Sequence, residues 1–206
     1  MIYALCTGLI IGILSIEIIP EAIHLGDWFI FFLGFIAGIL IYLLIHQTVY
    51  FGNISSVKNK QAISFQTALL LTISISIHNF PIGILLGSDK TTSLTDSFIM
   101  TILLHNIPEG IILFIPLFLA GYGMVTFITF SILVGLPVGI GTLIGENIGL
   151  TNPLIWSFII SLTAGMIFVV TFKEIFIEAK KHLSMPLSVI LFFIGYWINY
   201  FYFSFI

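Results

Sequence analysis

Charged residues are scarce in this sequence, and arginine is absent altogether. Only 7% of the 206 residues are charged and 59% are hydrophobic, whereas about a quarter of the residues in a soluble domain are charged. A soluble core of this size could not bury so much apolar surface, so the composition indicates a polytopic membrane protein. Because the chain has no basic run with interleaved aromatic residues, we expect no nucleic-acid partner.

Cysteine occurs once, at Cys6, so the chain cannot form an intrachain disulfide. The N-terminus lacks the basic region and the small-residue cleavage site of a signal peptide. We therefore assign the N-terminal residues to a helix of the protein itself.

Long apolar runs fill most of the chain, and seven of them are long enough to cross a bilayer, for which a helix needs roughly 17–25 residues. They cover Met1–Pro20, Trp28–His46, Ile63–Gly87, Ser97–Gly121, Gly123–Gly145, Pro153–Lys173 with a more polar extension to His182, and Pro186–Phe205. These runs do not alternate between polar and apolar residues, so they predict helices rather than barrel strands. We expect an all-α polytopic membrane protein, a seven-helix transmembrane bundle that forms a single domain over residues 1–206.

The lysines predict the orientation of the bundle. Lys58 and Lys60 lie between the second and third runs, and three more lysines lie at the end of the sixth run or between it and the seventh, whereas Lys90 alone lies between the third and fourth. Positive residues favour the cytoplasmic side. We therefore expect the N-terminus inside the cell, and a multi-pass protein of the cell membrane.

Two short motifs recur within the chain. HNFPIGI (His78–Ile84) in the third run resembles HNIPEGI (His105–Ile111) in the fourth, and EIIPEA (Glu17–Ala22) resembles EIFIEA (Glu174–Ala179). By the lysine count, the two members of each pair run in opposite directions through the membrane. Inverted repeats of this kind occur in secondary transporters, whose sites lie near the midplane on interrupted helices.

The HN motifs place polar and ionisable side chains, together with a proline, inside apolar helices. With a rise of 1.5 Å per residue, His78 and His105 both lie on the order of 12–14 Å below the outer surface. Pro81 and Pro108 each remove a backbone N–H and free a carbonyl group. His105 and Glu109 are four residues apart and share one helical face. Imidazole, amide and carboxylate groups together suit zinc, iron(II) or manganese.

The position of Glu109 favours a function over a purely structural role. An ionised glutamate at mid-helix costs roughly 2.5–3.5 kcal/mol on insertion scales, so a bound cation would explain why it is kept. The alternative is a structural cluster in which the His, Asn and Glu side chains form hydrogen bonds between helices. Two matched clusters at equal depth favour an ion or proton pathway.

These motifs resemble the ZIP family of divalent-metal transporters, in its bacterial GufA/ZupT-like branch, whose fourth helix reads HNxPEG and whose fifth is similar. The resemblance implies transport of divalent metal cations, zinc above all, toward the cytoplasm as one half of the bundle moves against the other. It implies a binuclear-type metal site between the third and fourth runs, whose matching residues here are His78, Asn79, His105, Asn106 and Glu109. It also implies an acidic exit path at Glu174 and Glu178. The metal is the transported substrate, and no cofactor is expected.

The chain departs from the family pattern in four respects. The first family helix has no counterpart, so the sequence is truncated, wrongly started or a naturally reduced form with seven spans. Ile82 stands where the motif carries glutamate. Leu136, in GLPVG (Gly135–Gly139), stands where relatives often carry a ligand, so we expect one metal rather than two. Lys173 would oppose metal exit beside Glu174, unless it reaches the membrane interface or pairs with Glu178.

Three functional hypotheses follow. The first is a divalent-metal transporter that uses no ATP, since the sequence has no P-loop. The second is a metal-dependent membrane enzyme, which the lack of an H-E-x-x-H motif disfavours. The third is a degenerate, non-transporting relative with a structural or metal-sensing role. The metal and the bilayer are the expected partners, and a homodimer is left open. For His24 and His46 we expect solvated or capping roles, and the same for His182.

Overall fold

The computed structural model describes residues 1–53, 60–88, 92–149 and 152–204. Within these ranges the chain forms seven helices, one for each predicted apolar run. They are α1 (Ile2–Leu25), α2 (Trp28–Asn53), α3 (Lys60–Ser88), α4 (Thr92–Leu119), α5 (Met124–Ile148), α6 (residues 153–182) and α7 (Met185–Ser204). Five of them, α1, α2, α3, α5 and α6, contain described stretches that are long and apolar enough to cross a membrane. The prediction of an all-α polytopic membrane protein is confirmed.

Local sequence signals explain several helix ends. Asp27 accepts a hydrogen bond from the backbone N–H of Ile30 at 2.8 Å and so caps the start of α2. Asn152 caps α6 in the same way, and Pro153 fills the first helical position, where no N–H is needed. Gly149 ends α5 with a φ of +58°, a left-handed conformation that glycine adopts without strain.

Glycines bring three pairs of helices into close contact. The pairs are α1 with α7, α2 with α6, and α3 with α5. At these contacts a Cβ atom would collide with the backbone of the partner helix or come very close to it, at Gly8 and Gly195, at Gly34, Gly38 and Gly165, and at Gly83, Gly87, Gly141 and Gly145. In lipid, packing of this kind drives helix association because burial of apolar surface contributes little.

The helices form two groups that meet along one apolar seam. The first group is α3, α4 and α5, and the second is α1, α2, α6 and α7. They meet where α3 packs on α6 and α4 packs on α1. The largest cluster of buried apolar side chains lies at this junction and includes Ile10, Leu71, Ile75, Ile112 and Ile167. A site at the seam would therefore touch both groups.

The two EI motifs share an unusual backbone conformation. Leu14–Ile18 in α1 and Thr171–Phe176 in α6 are π-helical turns, and they contain Glu17 and Glu174, the first residues of the two motifs. Such turns are rare and often mark functional positions. Pro20 follows the turn in α1, but the corresponding residue in α6 is Ile177, so the turn does not require a proline.

The helices that carry the EI motifs run in opposite directions. The hydroxyl group of Ser157, at the start of α6, donates to the carbonyl group of Ala22, at the end of α1, at 2.6 Å. At the other end of the pair, Tyr3 lies close enough to Glu178 to interact with it electrostatically. The antiparallel arrangement is the one that an inverted repeat requires.

Candidate metal site

His78 on α3 and Glu109 on α4 form a direct contact at the seam. The Nε2 atom of His78 lies 2.9 Å from Oε1 of Glu109. Only 1% of the His78 surface and 5% of the Glu109 surface are exposed. The sequence predicted that these motifs face each other at one level of the bundle, and these two side chains do so.

The hydrogen bond of Nδ1 determines which ring nitrogen of His78 carries a hydrogen atom. Nδ1 lies 3.0 Å from the carbonyl oxygen of Ser74, one turn earlier in α3. A carbonyl can only accept, so Nδ1 carries the hydrogen and Nε2 is the atom presented to Glu109. Ring nitrogens that bind metals usually have this support from a backbone carbonyl on the opposite side of the ring.

A small cavity of about 10 Å³ adjoins the pair, which is room for about one water molecule. Its walls come from both helix groups, namely Ile10, Ile75, His78, Glu109, Ile112, Ile167, Val170, Thr171 and Ile175. Apart from the pair itself and Thr171, the lining is apolar. An ion at this position would therefore have few competing ligands, and isoleucines from both groups surround it.

The other predicted ligands occupy different environments. Asn79 is buried, and its Nδ2 atom donates to the carbonyl oxygen of Val134 on α5 at 3.3 Å. Asn106 is exposed on α4. The side chain of His105 lies outside the described part of the structure. Among the described side chains, no group of three or more His, Cys, Asp and Glu residues comes together in a way that could hold a metal ion.

The two positions that lack a family carboxylate differ in their surroundings. Ile82, one turn after His78 on α3, is buried with 8% of its surface exposed. Leu136 on α5 has 49% of its surface exposed and does not line the cavity. A carboxylate at position 136 would therefore point away from the His78–Glu109 pair, whereas one at position 82 would lie one turn above His78.

The two predicted exit-path residues are both engaged. Glu174 accepts a hydrogen bond from the Tyr42 hydroxyl at 2.7 Å, and its Oε1 lies 3.1 Å from Nε2 of His46. Glu178 forms an ion pair with Lys181 at 2.5 Å. The sequence associated His46 only with a capping or solvated role. Its place beside Glu174 was missed because periodicity does not show which face of α2 meets α6.

Two further sequence-derived roles concern residues near the helix ends. Lys173, expected to reach the interface or pair with Glu178, donates to Nδ1 of His46 at 3.2 Å. His24 is exposed, in agreement with a solvated role. The side chain of His182 lies outside the described residues.

A comparison with known families identifies the family to which the chain is similar. A family model described as ZIP zinc transporter matches residues 52–201. The match includes α3 and α4, which carry the two HN motifs, and it covers well over half of the chain. No solved structure matches the chain.

Proposed function

The chain belongs to the ZIP zinc transporter family, and from this premise we propose that it carries divalent metal cations, zinc among them, across the cell membrane toward the cytoplasm. We propose His78 and Glu109 as the central ligands of the transported ion. His105, Asn79 and Asn106 complete the proposed set. The likeness to the bacterial GufA/ZupT-like branch is part of the same proposal.

The contact between His78 Nε2 and Glu109 Oε1 is the observation that carries this proposal. An imidazole nitrogen and a carboxylate oxygen are ligands that suit zinc and similar ions. Their contact is buried inside a membrane bundle, where an ionisable residue is best explained by a functional pathway. Both residues belong to the first helix group, but side chains from both groups line the cavity beside them, so a movement between the groups would change the surroundings of the pair.

The remaining proposed ligands would complete the coordination shell. Zinc commonly takes four ligands, and His78 with Glu109 provides two. Asn79 is next to His78 and already buried, so its amide oxygen needs little movement to approach the ion. Asn106 is exposed in this conformation, so it would join only after α4 turns. His105 lies one helical turn before Glu109 on the same helix.

Release toward the cytoplasm requires the apolar wall of the cavity to open. Ile75 and Ile175 come from different helix groups and both line the cavity. Separation of the groups along the seam would part these side chains and leave the polar groups of α2 and α6 as the next partners of the ion. The excess of lysine on one side of the bundle predicts which side faces the cytoplasm, and the inward direction of transport is what the resemblance to the family implies.

Uptake into proteoliposomes tests the proposal. Zinc, iron(II) and manganese would each be offered to the wild type and to a His78→Ala, Glu109→Gln double variant. A His24→Ala, Glu146→Gln double variant is the matched control, because it removes the same residue types at exposed positions. We expect uptake to be lost in the first variant and kept in the second. Equal uptake in all three would refute the proposed site.

The reduced ligand set supports a second candidate. Only two acidic or histidine side chains come together at the seam among the described residues, and Ile82 replaces the family glutamate. A non-transporting relative with a sensing or structural role would bind metal with the same two residues but show no uptake. The same liposomes, assayed for both bound and internal zinc, separate the two functions.

A further inference from the structure

Two side chains of α3 donate hydrogen bonds to neighbouring carbonyl groups of α5. The Ser76 hydroxyl donates to the carbonyl oxygen of Leu133 at 3.2 Å. Nδ2 of Asn79 donates to the carbonyl oxygen of Val134 at 3.3 Å. Ser76 and Asn79 are three residues apart, so they lie on the same side of α3. α3 therefore bonds to one turn of the α5 backbone in addition to packing against it.

Pro137 explains why this turn of α5 accepts hydrogen bonds from another helix. It has no N–H to offer the carbonyl group of Leu133, four residues earlier, and its ring presses against that carbonyl. An uninterrupted helix would use the carbonyl groups of Leu133 and Val134 for its own backbone bonds. A carbonyl oxygen has two lone pairs, so Val134 can accept from Asn79 as well as from its own helix. The disturbed turn is thus open to donors on α3.

The bond to Val134 determines which end of the Asn79 amide is left for an ion. An amide side chain has a donor end and an acceptor end, and a carbonyl oxygen can bond only to the donor end. Because Nδ2 is directed to Val134, Oδ1 is the atom that remains to bind an ion. Metal ions take the oxygen of an amide side chain as their ligand. Asn79 is buried, so bulk water does not compete for either end.

His78, the neighbouring proposed ligand, is oriented by the same kind of contact. Its Nδ1 donates to the carbonyl group of Ser74, which leaves Nε2 directed to Glu109. Metal ligands commonly have an outer partner of this kind, and loss of the partner weakens metal binding. The carbonyl that orients His78 belongs to α3 itself, whereas the one that orients Asn79 belongs to α5. α5 carries Leu136 in place of a family ligand, yet its backbone still contacts a proposed ligand.

We propose that Pro137 is a positioning residue of the metal site. It keeps the Val134 carbonyl available to Nδ2 of Asn79, and this bond presents Oδ1 to the transported ion. Pro137 itself does not touch the ion. The inference rests on the proposed function, because it takes Asn79 as a ligand. It adds that α5 sets the geometry of coordination although its side chain at position 136 cannot bind metal.

A purely structural role for the two bonds predicts a different result. Hydrogen bonds between membrane helices stabilise a bundle modestly, and both bonds would then affect folding alone. Ser76 has such a role, since it is not a proposed ligand. If Asn79 acted in the same way, removal of Pro137 would change the stability of the bundle but not the way in which an ion is bound.

Cobalt(II) titration of the full chain in detergent tests the positioning role. Cobalt is the probe because its visible absorption depends on the number and type of its ligands. We expect Pro137→Ala to weaken cobalt binding about tenfold, at the lower end of the loss that follows removal of an outer partner. Asn79→Leu should weaken it at least as much, and Pro137→Ala should cause no further loss in the Asn79→Leu background. The bound-cobalt spectra of the two single variants should match each other and differ from the wild type, because both lack the same oxygen ligand.

Ser76→Ala is the matched control, because it removes the hydrogen bond to the adjacent carbonyl and leaves Asn79 intact. We expect it to lower the free energy of unfolding and to leave cobalt affinity unchanged. Pro137→Ala replaces a helix breaker with the best helix former, so α5 is retained in this variant.

Three results would overturn the inference. Wild-type affinity in the Pro137→Ala protein would show that the proline does not act on the site. A tenfold loss that persists in the Asn79→Leu background would show that it acts on the fold as a whole. An equal loss in Ser76→Ala would assign the effect to the contact between the helices.

The central site is measured separately, by wild type against the His78→Ala, Glu109→Gln double variant. If the wild type binds no cobalt, the proposed function fails and the inference fails with it. If the wild type binds cobalt, the double variant does not, and Pro137→Ala binds as well as the wild type, only the inference fails.

Discussion

His78 and Glu109 are 31 positions apart in the chain, yet Nε2 of the first and Oε1 of the second lie 2.9 Å apart. They come from different helices, and almost none of either side chain is exposed. Since the two polar side chains are buried and in direct contact, removal of one changes the hydrogen bonding of the other. Their effects on stability and on metal binding should therefore depend on each other.

A double-mutant cycle measures this dependence. We expect His78→Ala and Glu109→Ala to destabilise the bundle individually, and the double variant to be less destabilised than the sum, by about 0.5–3 kcal/mol. Chemical unfolding of the three variants and the wild type in detergent gives the coupling free energy. His24→Ala with Glu146→Ala is the control cycle and should be additive. Additivity in both cycles would contradict the His78–Glu109 contact.

The position of Ile82 predicts a gain of metal capacity. Glutamate at position 82 would lie one turn above His78 on a buried face of α3, close enough to share a second ion with it. We expect Ile82→Glu to bind one zinc ion more per chain than the wild type. Leu136→Glu, which restores the other missing family ligand on the exposed face of α5, should bind no additional zinc.

Equilibrium dialysis with zinc analysis distinguishes these outcomes. The same added capacity in the Ile82→Glu and Leu136→Glu proteins would show that α5 turns its position 136 toward the site, in contrast to the structure. Two zinc ions bound per wild-type chain at the seam would show that the absent carboxylates are not needed.

Close packing of α3 on α5 predicts a strong effect of one methyl group. A Cβ atom at Gly83 would collide with the backbone of Val138, whereas Gly135 and Gly139 on α5 have nothing within 4 Å of an added Cβ. We expect Gly83→Ala to destabilise the bundle by about 1–3 kcal/mol, as overpacked positions do. Gly135→Ala should be neutral or slightly stabilising, because alanine has a higher helix propensity than glycine. Thermal unfolding in detergent provides the comparison, and equal melting temperatures would refute the contact.

The features that the sequence predicted are those that depend on composition and on single-helix geometry. Runs of apolar residues predicted the seven helices, because a membrane allows few other structures. The HN motifs of the third and fourth runs supplied both members of the contact, His78 and Glu109. The first apolar run was predicted to end at Pro20, but α1 continues as a helix to Leu25, with Pro20 near the start of the α-helical segment that follows the π-helical turn.

The features that the sequence did not predict depend on how each helix is rotated about its own axis and on which helices it contacts. Nothing local shows that Leu136 faces outward, that Asn106 is exposed, or that His46 meets Glu174. In these helices apolar residues occur all round, so periodicity does not identify the inward face. The π-helical turn at Thr171–Phe176 also has no local cause, since no proline follows it.

A proline in α5 provides a final test of the α3–α5 contact. Pro137 has no N–H, so the carbonyl oxygen of Leu133, four residues earlier, lacks its usual helical hydrogen bond. The hydroxyl group of Ser76 on α3 donates to that oxygen at 3.2 Å. We expect Ser76→Ala to destabilise the wild type by about 0.5–1.5 kcal/mol, the net contribution of such a bond. In a Pro137→Ala background the helix can satisfy Leu133 itself, so the effect of Ser76→Ala should disappear.

The control for this pair is Ser131→Ala. Ser131 is exposed, and its hydroxyl group bonds within its own helix, to the carbonyl group of Phe127 at 2.9 Å. The free energy of unfolding of each variant in the two backgrounds is the measurement. Because Ser131 and Ser76 lose the same group, a loss specific to Ser76 and dependent on Pro137 can only come from the shared carbonyl. If the Ser76 effect is the same with and without Pro137, the serine stabilises the bundle by some other contact, and the proposed role of the Leu133 carbonyl is wrong.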